Sequence, residues 1–144
     1  MKITPLLILL GFTIGFAFPS FAQEQKAVDP KVRQGIEAAE TAFQDAYNKH
    51  DATAIAELHT QDAVELRTWE GSFSGQEAIQ KMFEADFAKP IGKMNNKIIQ
   101  VIPVDGAEVC AIIDTNVGGN VGKVIRVYVF GVPTWKIRMT YVRF

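Results

Sequence analysis

The residues best suited to chemistry in this chain fall in two alternating runs. Glu65, Arg67 and Trp69 occupy every second position of residues 63–69. A strand there puts all three on one face, with Val64 and Leu66 packing as plain core on the other. A guanidinium beside an aromatic ring suits a planar, carboxylate-bearing ligand. It is equally suited to pairing with Glu65 or another acid of the same wall, or to reaching solvent. In the second run, Arg126, Tyr128 and Phe130 alternate with Ile125, Val127 and Val129. One face of that strand is aliphatic and the other carries a cation and aromatics. One of them packs on helices and the other lines a pocket or a dimer contact.

Acid–base candidates are fewer. Asp114, His59 and Glu65 are the groups that would move protons if they sat in a pocket with shifted pKa values. Each has a plainer alternative: Asp114 as a strand-end carboxylate facing water, His59 as a surface or capping residue at a helix end, Glu65 as the partner of Arg67. Tyr47 joins Glu65, Arg67, Trp69, Arg126 and Tyr128 as a ligand-lining candidate. No metal or cofactor is implied. The two histidines, His50 and His59, lack zinc-ligand spacing, and Cys110 is the single cysteine. Residues 118–123 contain Gly-Lys without the spacing of a phosphate loop and read as a hairpin. Neither a nucleophile elbow nor a dinucleotide fingerprint is present.

Composition fits a globular domain: 144 residues, 48% hydrophobic, 22% charged, net charge −1. With no basic run, nucleic acid is not an expected partner. Lys2, an apolar stretch over residues 6–18, and small Ser20 and Ala22 follow the layout of a secretory leader. The expected organisation is a signal peptide over residues 1–22 cleaved after Ala22, a polar lead-in over 23–30, and one domain over 31–144. That places the protein in the periplasm or outside the cell, with no membrane association after cleavage. The lone Cys110, in an apolar run, is expected to be buried and inert.

Within the domain, Asp29-Pro30 starts a helix whose stripe is Val32, Ile36, Ala39, Phe43 and Ala46 or Tyr47. Asp51 caps a short second helix. Residues 63–69 read as a strand and 70–72 as a turn. Ser74 and Glu77 form a capping box for a third helix burying Ile79, Met82, Phe83 and Phe87. Residues 98–104, 108–114, 123–130 and 134–142 are rich in β-branched and aromatic side chains and read as antiparallel strands. Helices followed by strands make an α+β fold with helices covering one face of a curved sheet.

This order resembles the nuclear-transport-factor-2-like superfamily, a cone-shaped α+β fold, and in particular its SnoaL-like and SgcJ/EcaC-like branches. The resemblance is carried by residues 46–51 with 54–58, by Asp62-Ala63-Val64, by the Gly71 and Gly75 step into Glu77-Ala78-Ile79, and by Trp135-Lys136-Ile137. It spans residues 31–141, with a sheet region that looks compact for the family. It implies a pocket inside the cone, a small-molecule ligand, and a homodimer. The superfamily includes ketosteroid isomerases, but their tyrosine and aspartate places fall on Phe43 and Arg67 here. A phenylalanine donates no hydrogen bond and an arginine accepts no proton, so that mechanism does not transfer. The resemblance puts Arg67 where the pocket opens. It implies a ligand-binding pocket first, a proton-transfer or hydrolytic enzyme second, and third a dimerisation module with the pocket plugged by Phe43, Met82, Phe83 and Trp69.

Overall fold

The computed structural model describes residues 28–131 and 133–144. The leader and its cleavage point after Ala22 lie outside the described residues. Helix α1 (Pro30–Asn48) begins where expected: the Asp29 side chain accepts from the amide of Lys31 at 2.7 Å, and Pro30 occupies the first turn. It ends where His50 takes a positive φ of 57°. Asp51 then accepts from the Ala54 amide at 2.9 Å and starts α2 (Ala52–Glu57).

Strand β1 (His59–Arg67) follows directly. The expected turn at 70–72 instead leads into a short strand, β2 (Gly71–Ser74), hydrogen-bonded antiparallel to β1. The capping box does not form. Ser74 is held in register opposite Val64, and Gly75, at φ 85°, becomes the N-cap of α3 (Gln76–Phe87) with no side-chain bond. Glu77 pairs with Lys81 at the surface instead.

Strands β3 (Met94–Asp105), β4 (Glu108–Val117), β5 (Asn120–Gly131) and β6 (Thr134–Arg143) complete one six-stranded sheet, ordered β2-β1-β6-β5-β4-β3. These four strands run 10 to 12 residues, longer than the compact sheet expected. Neighbours are antiparallel except β1 and β6, which run parallel. A parallel pair needs a long crossover, and everything between β1 and β6 supplies it.

The helices cover one face of the sheet only. Ile36, Ile55, Ile79, Ile113, Phe43 and Phe83 are essentially inaccessible and form the core between the layers. Burying each such side chain contributes about 1.5–3 kcal/mol. Asn48 fastens α1 to β3 by exchanging two hydrogen bonds with the Met94 backbone, at 2.8 and 3.0 Å. Gly92 and Gly118 let the chain after α3 cross the β4–β5 turn: a Cβ on Gly92 would lie 2.2 Å from the Cα of Gly118.

Coverage on one side decides which strand faces are buried. On β5, Val124, Arg126 and Tyr128 point inward, whereas Ile125, Val127 and Val129 form a half-buried outer face. On β1, Ala63, Glu65 and Arg67 are buried and Val64 and Leu66 are only half-buried, the reverse of the core packing expected for that pair. Cys110 is also half-buried rather than buried, and burial raises its thiol pKa.

Candidate functional site

The helices and the covered sheet face enclose a cavity of about 490 Å³. Phe43 and Tyr47 of α1, Phe83 of α3, and Val124 and Val142 of the sheet supply apolar walls. The cavity is therefore open, not plugged by its aromatics, and Met82 is not among its lining residues. Trp69 and Phe144, each about half-exposed, sit at its rim with ring centres 5.3 Å apart.

Two ionic clusters are set into this apolar shell. In the first, Glu40 of α1 meets Arg126 of β5. The Arg126 Nη1 donates to both Glu40 oxygens at 2.6 Å, and the Tyr128 hydroxyl donates to Oε1. The guanidinium lies 3.7 Å from the centre of the Phe43 ring. Burial opposes the charge on Arg126, yet Glu40 outweighs it and holds its pKa above the usual value. Burial and the nearby Glu40 carboxylate push the Tyr128 hydroxyl well above its ordinary value. Tyr128 stands behind the cavity wall rather than in it.

The second cluster centres on Arg67. Its Nε donates to Glu65 at 2.9 Å, and its Nη1 donates to Asp86 at 2.6 Å and to Glu70 at 3.0 Å. Of the two readings open for Arg67 in the sequence, the geometry gives the ion pair with Glu65, extended by two further acids. Three carboxylates on one guanidinium leave no surplus positive charge to attract an anionic ligand. The Arg67 cation also lies over Phe83, 5.1 Å from the ring centre, and 5.9 Å from that of Trp69.

His59 is fully buried at the start of β1, not at the surface. Its Nδ1 lies 2.8 Å from the Ile55 carbonyl oxygen. A carbonyl only accepts, so Nδ1 carries the proton and Nε2 presents a lone pair. That Nε2 lies 4.0 Å from Oε2 of Glu65, and neither atom has a partner among the described residues. Burial pushes the His59 pKa down to about 4, so the ring is neutral near pH 7. Burial raises the Glu65 pKa despite Arg67 beside it. Glu65 lies in register with Thr140, which pairs in turn with Arg126, so these three form one row across the covered face.

Asp114 does not reach the cavity. It lies mid-strand on the outer face of β4, paired with Lys123 directly opposite on β5. Of the sequence candidates, Glu65, Arg67, Trp69, Tyr47 and Arg126 line the cavity; His59 and Tyr128 buttress it; Asp114 is remote. Glu40, Glu70 and Asp86 were not among them. Glu40 carried a signal: it sits four residues after Ile36 and three before Phe43, an acid inside the buried stripe of α1. Asp86 likewise falls three residues after Phe83 on α3. Among the described residues no group of His, Cys, Asp and Glu is arranged to hold a metal ion.

A family model described as SnoaL-like domain matches residues 40–138, most of the chain, from within α1 to within β6. The chain belongs to the SnoaL-like domain family. Solved structures share the fold at low identity. A domain of unknown function with a cystatin-like fold from Nostoc punctiforme aligns with a TM-score of 0.69 at 15% identity, covering 80% of this chain and 78% of that one. A ketosteroid isomerase-like protein from Erwinia carotovora atroseptica aligns at 0.67 and 16%, covering 79% and 96%. An NTF2-like protein of unknown function from Pseudomonas putida aligns at 0.66 and 14%, covering 81% and 88%. No curated protein matches the chain. This SnoaL-like domain thus has the α+β architecture the sequence implied, with its own arrangement of charges in the cavity.

Proposed function

We propose that this SnoaL-like domain binds a small organic molecule with an apolar body inside its cavity. A fold of this kind hosts many functions, so the reading rests on the site. The observation that carries it is the open volume of about 490 Å³, walled by aromatic and aliphatic side chains with a few buried polar groups. That is the form of a small-molecule site. The domain acts outside the cytoplasm, a reading supported by the leader pattern ending at Ala22, and it works as a homodimer. The half-buried Ile125, Val127 and Val129 of the outer sheet face support the second point.

Titration with N-phenyl-1-naphthylamine, a neutral dye that brightens in apolar surroundings, tests the binding reading. One saturable site per chain is expected, and it is lost in Val124→Trp, which fills the cavity from β5. Absence of saturable binding, or undiminished binding by the folded variant, contradicts the reading.

A second reading has one specific observation behind it. Glu65 and the neutral His59 hold two unpartnered polar atoms 4.0 Å apart beside the cavity, too far for a direct hydrogen bond but within reach of one group of a bound molecule that exchanges a proton with Glu65. It requires turnover of a bound compound that disappears in Glu65→Gln while binding persists.

A further inference from the structure

We infer that the ligand is a protonated amine, its ammonium group held between the Asp86 carboxylate and the unpartnered hydroxyl of Tyr47. This rests on the cavity being a ligand site and adds the charge class of what enters it.

Four acids, Glu40, Glu65, Glu70 and Asp86, are tied to two guanidiniums, those of Arg67 and Arg126. His59 adds no positive charge at neutral pH. Arg143, on the strand end beside Val142 and Phe144, is exposed to solvent and screened. Glu65 and Asp86 line the cavity with Arg67 and Arg126, and Glu40 and Glu70 stand behind them, so the two clusters taken together are negative in balance. A second anion would face that excess inside a poorly solvated space, and a cation would relieve it.

The acceptors are in place. Tyr47 is 4% exposed and lines the cavity, and among the described residues its hydroxyl makes no hydrogen bond. Burial and the neighbouring Asp86 push its pKa up to about 12, so it stays a neutral hydroxyl whose oxygen accepts. Asp86 lines the same cavity and spends Oδ2 on Arg67, leaving Oδ1. An ammonium carries three donors and no acceptor, matching two oxygens and leaving one N–H for water at the opening. The rings of Trp69 and Phe144 at the rim offer π faces to a cation on its way in.

Three probes with one apolar body separate the possibilities: 2-(1-naphthyl)ethylamine, 2-(1-naphthyl)ethanol and 1-naphthylacetate, titrated against the purified protein at pH 7. The amine is expected to bind at least about tenfold tighter than the alcohol, with the carboxylate weakest. In Asp86→Asn the amine-to-alcohol ratio falls toward one while alcohol affinity holds. Glu70→Gln, at a more exposed acid of the same cluster, lowers the ratio less and serves if the first variant does not fold. A carboxylate that binds as tightly as the amine overturns the inference, as does an alcohol that matches the amine or a ratio unmoved by both variants. Binding of the alcohol in those cases leaves the cavity reading standing. If none of the three binds, the cavity reading falls together with this one.

Discussion

Glu40 on α1 and Arg126 on β5 are 86 residues apart in sequence and meet at 2.6 Å through both carboxylate oxygens. Both side chains are at most 5% exposed. The pair ties the first helix to the middle of the sheet and places a cation against the Phe43 ring. A buried ion pair is not a large net source of stability, but half of one is strongly destabilising. Glu40→Ala should therefore cost about 3–5 kcal/mol in urea unfolding. The double variant Glu40→Ala/Arg126→Met should recover most of that loss, because no charge is then left buried alone. Equal losses in the single and double variants would contradict this account of the pair.

Arg67 makes a similar prediction with a pH signature. Arg67→Leu leaves the buried Glu65 carboxylate without its hydrogen-bonded partner, and stability should fall by about 3 kcal/mol at pH 7. Glu65 has a raised pKa in the folded state, so its share of stability is present below its unfolded pKa and is lost as pH rises. The deficit of the variant relative to the wild type should accordingly shrink toward pH 4. A deficit independent of pH would place the damage elsewhere.

His59 works in the opposite sense. Its folded pKa of about 4 lies below the model-peptide 6.5, so between those values the unfolded chain binds the extra proton. The stability due to this group is complete above pH 6.5 and declines as pH falls toward 4, by roughly 3 kcal/mol in all. His59→Asn, which keeps a donor for the Ile55 carbonyl, should flatten that slope in unfolding measurements across pH 4–7. An unchanged slope would show that other groups set the acid response.

Gly92→Ala tests the wall beside the cavity. The added methyl meets the Gly118 backbone rather than a side chain able to swing away. Overpacking of this kind costs about 1–3 kcal/mol. The loop carrying Ile91 and the start of β3 at Met94 should shift, weakening probe binding along with stability. Thermal unfolding and the dye titration read the two effects separately.

Much of the fold was legible because its signals are local. Asp29-Pro30 and Asp51 start helices through their own side chains, and the strands from β3 to β6 announce themselves by β-branched runs. Ser74 shows the limit: its capping signature is real, but pairing with Val64 claims its backbone first. The parallel contact of β1 with β6 joins residues far apart in the chain and leaves no local trace. At the site, alternation put Glu65 with Arg67 and Arg126 with Tyr128 correctly on shared faces. It did not say that the polar face of each strand is the buried one. That follows from helices covering one side of the sheet only. The acids that complete the clusters, Glu40, Glu70 and Asp86, come from α1, the β1–β2 connection and α3. Their meeting is a property of tertiary packing, although Glu40 inside an apolar stripe was a visible clue.

The proposed ligand enters the space between the helices and the sheet. Methyl NMR of the protein titrated with N-phenyl-1-naphthylamine shows whether it does. Saturable shifts are expected at Ile91, Val117, Val124 and Val142, which line the cavity, with Ile112, Ile125 and Val127 of the outer sheet face unmoved. Shifts confined to the outer face, or no saturable shifts at all, would contradict it.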